Sequence, residues 1–479
     1  MKSGTHPEAK VSNPELGTTK RACAIGCLLI AFTALLILFC VRCVQNSSVA
    51  SSGSIEFLHD KSAVVVDLGC DNCDSGVRVY DDVITIRCLA HFAGVREDGW
   101  LGTSICQAGD YDLDGESDFV VVASNFMAAH PMGAILRAQR MPGPQVTVVG
   151  SRQVAPVAAV DLRFTPSRSA VSVVSLDGDA PTADDDWAML VDDLSWSAVV
   201  ADRFARSTAL LYEGGSSTAR WRVEGPGLLS AARADDVDGD GVLDVLIGFT
   251  TQRAPPELRL LSGSTGECFA TARLGGSSSR LVLARIGDLD GDGLSEFAVG
   301  GFAERPGQGV AVHFVCGRSL ELRRTIWDDD GFGRSIVAIK SSDDSRVSVL
   351  VAKPYASQES GGTGEILEVD TERDGSLRTF SGAIGQSVAY GRSLTNLGNL
   401  DGRAGEEVAI GAMGVRGSIE EGILVVMGSG GLLFEVQGMH IARCHSGDPS
   451  RVRVAVGSPN NQRTQEARGR ICILEIIRR

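Results

Sequence analysis

A short acidic loop is written three times in this chain, and each copy runs directly into an apolar stretch. The fullest copy lies in Ile286–Phe302, where Asp288, Asp290 and Asp292 alternate with small or apolar residues, Gly293 follows, and Glu296 precedes Phe297-Ala298-Val299. Asp110, Asp112, Asp114 and Asp118 lead in the same way into Phe119-Val-Val-Val-Ala, and Asp236, Asp238, Asp240 and Asp244 into Val245-Leu-Ile-Gly. Carboxylates this close repel one another unless a cation neutralises them. An all-oxygen donor set suits a hard ion such as Ca²⁺, and the glycines permit the sharp turn beneath it. An EF-hand needs a bidentate Glu at its twelfth loop position. Counted from Asp288 that position is Val299, so the loop feeds a strand and not a helix. The alternative is a solvated acidic turn that merely ends a hairpin.

Weaker copies fill the spaces between the strong ones. Ser175-Leu-Asp177-Gly-Asp179 is followed, after an insertion, by Asp186 and Trp187–Val191, and Asn399-Leu-Asp401-Gly-Arg403-Ala-Gly-Glu-Glu407 leads into Val408–Gly411. Two more keep the strand without the acidic set, at Val347–Pro354 and Val452–Pro459. Loop starts near 110, 175, 236, 288, 340, 399 and 445 give seven copies at spacings of about 46–65 residues, room for about four short strands each. Seven such units close into a ring that removes exposed sheet edges, so the expected fold is all-β, a seven-bladed β-propeller over residues 61–479. The run Val83–Leu89 precedes the first loop and has no repeat of its own. It is expected to complete the last blade beside Arg470–Ile477.

These residues resemble the FG-GAP repeat propellers best known from integrin α-subunits, over roughly residues 76–479. Phe332-Gly333, Tyr390-Gly391 and Trp100-Leu-Gly102 stand for the first element of that motif; Gly411-Ala-Met, Gly457-Ser-Pro459 and Ala352-Lys-Pro354 approximate the second. The resemblance implies that Asp110, Asp112, Asp114 and Asp118 bind Ca²⁺ together with the Glu116 carbonyl. It implies the same role for Asp236, Asp238, Asp240 and Asp244, and for Asp288, Asp290, Asp292 and Glu296, about three structural ions in all. Arg403 stands where a third carboxylate belongs. A guanidinium there is expected to bridge Asp401 and Glu407 in place of an ion. The Ser175 loop, which lacks its first carboxylate, is left open as an ion site.

Ala22–Val41 carries no charge over 20 residues, long enough to cross a bilayer and longer than the usual apolar core of a cleavable signal. Lys2, Lys10, Lys20 and Arg21 precede it, and only Arg42 follows before Lys61. By the positive-inside rule residues 1–21 are a cytoplasmic tail, 22–41 a signal-anchor helix and 42–60 a Ser-rich linker, with the propeller outside. Cys23, Cys27, Cys40 and Cys43 belong to the anchor region. Cys70, Cys73, Cys88, Cys106, Cys268, Cys316, Cys444 and Cys472 fall where disulfides persist, but their pairing is not legible. Cys70-Asp-Asn-Cys73 suggests a local disulfide or two thiols.

With 45 basic and 60 acidic residues the net charge is −15, and without a basic stripe nucleic acid is an unsuitable partner. The expected function is a membrane-anchored, extracytoplasmic, non-enzymatic module that binds a protein or glycan in adhesion, by fold analogy. The alternatives are a carbohydrate-active enzyme such as a polysaccharide lyase, and a structural subunit of an envelope complex. His59, His91, His130, His313, His440 and His445 form no His-Glu-x-x-His pair and no Gly-x-Ser-x-Gly occurs, but Asp, Glu and Arg suffice for lyase chemistry, which keeps the enzyme as an alternative.

Overall fold

In the computed structural model of this chain every described element is a β-strand, and each Asp-rich loop joins the first strand of a sheet to its second. The structure describes thirty strands between Val64 and Arg478 with many of their tight connections. Residues 1–63 lie outside the described residues, as do 67–76, 94–100, 124–144, 177–185, 194–205, 459–468 and the tips of several shorter loops. The tail, the anchor 22–41 and the linker fall in the first of these segments. Cys70, Cys73, Asp177 and Asp179 fall in others.

Among the described residues seven antiparallel sheets follow one another, six of four strands and one of six. All seven loop positions legible in the sequence fall between the first and second strands of a sheet. The second strand is the one each loop feeds, and it is buried along nearly its whole length in Asp118–Ala123, Val245–Thr250 and Glu296–Gly301. A strand covered on both faces is apolar in unbroken runs, not in alternation. Its neighbours claim alternate side chains. Phe119 and Val121 join a core with Ala455 and Ile473 of the last sheet, whereas Val120 and Val122 join one with Trp187 and Tyr212 of the following sheet. Val245 and Ile247 are likewise divided from Leu246. Two of the fourth strands, Cys268–Arg273 and Leu322–Asp328, are largely exposed.

The first strands pack on one another in a cycle. Leu101–Ala108 contacts Ser169–Ser175, and the succession runs through Leu228–Arg233, Leu281–Gly287, Ile336–Lys340 and Val388–Gly398 to His440–Cys444, which contacts Leu101–Ala108 again. Radial sheets sharing a core with each neighbour in a closed succession are the architecture of a β-propeller. The last sheet is completed as the sequence suggests. Ile84–Ala93 pairs antiparallel with Arg470–Arg478, so strands from the two ends of the domain share one ladder. Not anticipated was a hairpin of Val64–Val66 and Val77–Val79, which adds two strands to the outer edge of the sheet built from residues 388–437.

Glycines set the spacing between sheets. Gly102, at φ +89°, sits so close to the last sheet that a Cβ would come within 2.9 Å of Gly457 Cα. Gly333, at φ +78°, would meet Val312 of the preceding sheet at 2.8 Å and Gly300 Cα at 3.3 Å. Both need a left-handed backbone and the absence of a side chain.

Candidate metal centre

The three acidic loops share one backbone solution. The ninth residue turns its carboxylate back onto the second amide: Tyr111 N–H donates to Asp118 Oδ2 at 2.9 Å, Val237 to Asp244 Oδ2 at 2.8 Å and Leu289 to Glu296 Oε2 at 2.6 Å. The first Asp accepts amides from further round the turn. Asp236 takes those of Gly239 (2.8 Å), Asp240 (3.0 Å) and Gly241 (2.8 Å), and Asp288 those of Gly291 (2.7 Å) and Gly293 (3.0 Å). The fourth position is left-handed each time, at Gly239 (φ +79°), Gly291 (φ +80°) and Leu113 (φ +59°). Leu113 is 87% exposed, so no packing compensates a conformation that disfavours a Cβ.

The folded loops gather most of the expected ligands. Asp110, Asp112 and Asp118 bring carboxylate oxygens within 4.8 Å of one another, and so do Asp236, Asp238 and Asp244. In the third loop Asp288, Asp290 and Asp292 form one such group, and Asp290, Glu296 and the Cys316 thiol another. Asp114 and Asp240 stand outside the groups of their loops; Asp240 Oδ2 instead accepts the Ser264 hydroxyl. Asp290 and Asp292 also meet Arg323 at 2.9 Å and Arg318 at 3.8 Å.

Burial and mutual repulsion make the ninth residue a poor anion by itself. Asp244 is fully buried, and burial raises its pKa against the hydrogen bonds from Gly263 and Val237, with the Asp238 charge adding to the rise. Glu296 is 3% exposed, and its pKa is raised by burial and by Asp290 and Asp292, against the amides of Leu289 and Gly317. Leu289 N–H donates to Glu296 Oε2, and the Gly317 amide is the second main-chain group set against the rise. Buried carboxylates converging with further carboxylates form an all-oxygen donor set of the kind that holds a hard metal cation.

The Asn399 loop has the same fold and another neutraliser. Leu400 N–H donates to Glu407, and Gly402 repeats the left-handed fourth position at φ +80°. Arg403 Nη1 lies 3.4 Å from Asp401 and 2.7 Å from Asp81 Oδ2, and Nη2 lies 3.3 Å from Asp81 Oδ1. The expected bridge to Glu407 is therefore replaced by one to Asp81, which lies 322 residues away in sequence. Glu407 is fully buried, and burial, reinforced by Asp401, pushes its pKa up to about 7.

Sequence reasoning also missed how the loops are tied to their neighbours. The eighth residue of a loop meets the end of the preceding sheet's first strand. Ser295 N–H donates to Asp235 at 2.6 Å, Glu406 accepts the Lys340 amide at 2.8 Å, and the Cys444 thiol donates to the Ser117 carbonyl. Burial disfavours the Asp235 carboxylate, but the Ser295 hydrogen bonds and the Arg285 ion pair at 2.7 Å outweigh it and hold the pKa low. The Ser117 tie and the 2.6 Å Ser295 bond are made by main-chain groups, which leave no mark in the sequence.

No family model and no curated protein matches the sequence. Among solved structures, the chain is similar to BBS1N, crystallised in complex with ARL6DN, at 10% identity over 83% of this chain and 97% of that one, with a TM-score of 0.47. It is similar to the Dos1 propeller at 11% identity over 81% and 94% of the two chains, with a TM-score of 0.42.

Proposed function

We propose that the chain is a seven-bladed propeller of the FG-GAP type, held outside the membrane by residues 22–41, in which about three Ca²⁺ ions brace a surface that binds a protein or glycan. The carrying observation is the gathering of carboxylates: Asp110, Asp112 and Asp118, Asp236, Asp238 and Asp244, and Asp288, Asp290 and Asp292 each converge within 4.8 Å on one recurring loop backbone, with buried Glu296 beside Asp290. Asp110, Asp112, Asp118, Asp236, Asp238, Asp244, Asp288, Asp290 and Glu296 would hold the ions, which supply charge neutralisation and no redox chemistry. The glycine contacts support the family reading, because Gly102 and Gly457, one from each half of the motif, meet across adjacent sheets.

Titration of the chelator-treated full chain with Ca²⁺ tests the metal. About three ions per chain are expected, and a folded protein that gives no binding heat removes the assignment. Orientation is tested separately by adding protease to intact cells. Residues after 44 should be digested and an N-terminal tag protected. Crosslinking on such cells, followed by mass spectrometry, identifies the bound protein or glycoprotein.

A further inference from the structure

We infer that the seam closing the cycle of sheets is a disulfide site, with Cys88 and Cys472 as its two halves. Their Sγ atoms lie 3.4 Å apart, although the residues are 384 positions apart in sequence. The two strands that meet at the closure hold them there. Cys88 belongs to Ile84–Ala93 and Cys472 to Arg470–Arg478, and both side chains enter the same apolar core as Ile84, Ile86, Leu474 and Ile476.

The local geometry is made by a bulge. Cys88 opposes Leu474 and Ala90 opposes Ile473, so Leu89 is an extra residue in the first strand. The bulge bends that strand between Cys88 and His91, the register partner of Cys472. Cys88 remains two rungs from Cys472 on the same face, where diagonal neighbours approach. Both are thiols in this structure. Closing the 3.4 Å gap to an S–S bond of about 2.05 Å takes about 0.7 Å from each sulfur.

The chemistry is thiol–disulfide exchange with a small-molecule disulfide such as oxidised glutathione. Cys88, half-buried where Cys472 is 8% exposed, is the sulfur an external reagent reaches first. It loses its proton to solvent, and the thiolate attacks one sulfur of the reagent to give a mixed disulfide and one thiolate leaving group. Cys472, deprotonated in turn, attacks the Cys88 sulfur and expels the second thiolate. The pair loses two electrons and two protons, and the reagent gains them as two thiols. The product fastens the first strand of the closure to the last across 384 positions. The inference stands whether or not the acidic loops bind Ca²⁺.

The full chain equilibrated with oxidised glutathione, alkylated, and digested without reduction should yield a peptide linking Cys88 to Cys472. Both thiols should be absent from the alkylated fraction. Unfolding in denaturant should slow at least tenfold and return to its original rate on reduction, whereas Cys88→Ser should show no linked peptide and no reducible change. Quantitative alkylation of both residues after this treatment overturns the proposal, as does linkage of Cys88 to any other cysteine. The peptide assay needs no variant, so a substitution that fails to fold leaves the outcome decidable.

Discussion

In the Asp236–Asp244 loop and the Asn399–Glu407 loop alike, the ninth carboxylate accepts the second amide, from Val237 in one and Leu400 in the other. Both turn through a left-handed glycine, at Gly239 and Gly402. They differ in what answers the buried negative charge. The first gathers Asp236, Asp238 and Asp244 with no cationic side chain among the ion pairs of its described residues. The second has lost a carboxylate, gained Arg403, and drawn Asp81 from a distant part of the chain. The backbone of this turn is thus separable from the means of neutralising it, and each means leaves its own experimental signature.

Chelation should separate the two loops most strongly. With Ca²⁺ a hundredfold above Kd, each filled site adds up to about 2.7 kcal/mol, so EGTA should lower the melting temperature by the effect of several such sites. Asp244→Asn should remove one ion and part of that response; Asp401→Asn should leave the ion count unchanged. An EGTA-insensitive melting curve breaks the comparison.

Next in size is Arg403→Met. It leaves Asp81 and Asp401, whose side chains are 1% and 0% exposed, without the guanidinium between them. Because Arg403 itself is 38% exposed, water screens part of the pair, and the loss is expected at about 2 kcal/mol, below the range for a fully buried pair. It should be the same with and without chelator, as measured by urea unfolding.

The ninth position then predicts opposite signs. Glu407 has a folded pKa of about 7 against an ordinary 4.5, so the native state binds the extra proton between those values. Its stabilising contribution is full below about pH 4.5 and is lost as pH rises through about 7. Glu407→Gln should therefore gain about 1–3 kcal/mol at pH 8 and nothing at pH 4.5, whereas Asp244→Asn in Ca²⁺ should lose stability at pH 8. Two losses at pH 8 would mean that both loops need their anion. The smallest effect is at Leu113, where Gly should relieve the left-handed strain and raise stability by about 1 kcal/mol at most.

The strand after each loop, the position of all seven loops and the pairing at the closure were legible in the sequence, because each leaves a local pattern: clustered Asp, an apolar run, or an orphan strand. Asp81 was not. Nothing near Asp81-Asp82 marks it as the partner of Arg403, since the tie exists only once Val77–Val79 has docked on the edge of the sheet that carries the Arg403 loop. The hairpin of Val64–Val66 and Val77–Val79 was hidden for a similar reason, its strands being only three residues each. Within the loops, spacing located the carboxylates that the fold gathers but not which ones stand outside each group. Asp240 is diverted by Ser264, which lies two strands further on.

The shared ladder between Ile84–Ala93 and Arg470–Arg478 also sets a timetable. A ribosome adding 5–20 residues each second takes roughly 20–80 s to travel from one of these strands to the other. For that interval the first strand has been made and its partner has not, while the intervening sheets can already assemble in order. Its unpaired edge is then a site for wrong pairing, with a neighbouring nascent chain or with a chaperone that shields it. Synthesis rate, rather than equilibrium stability, decides how long that exposure lasts.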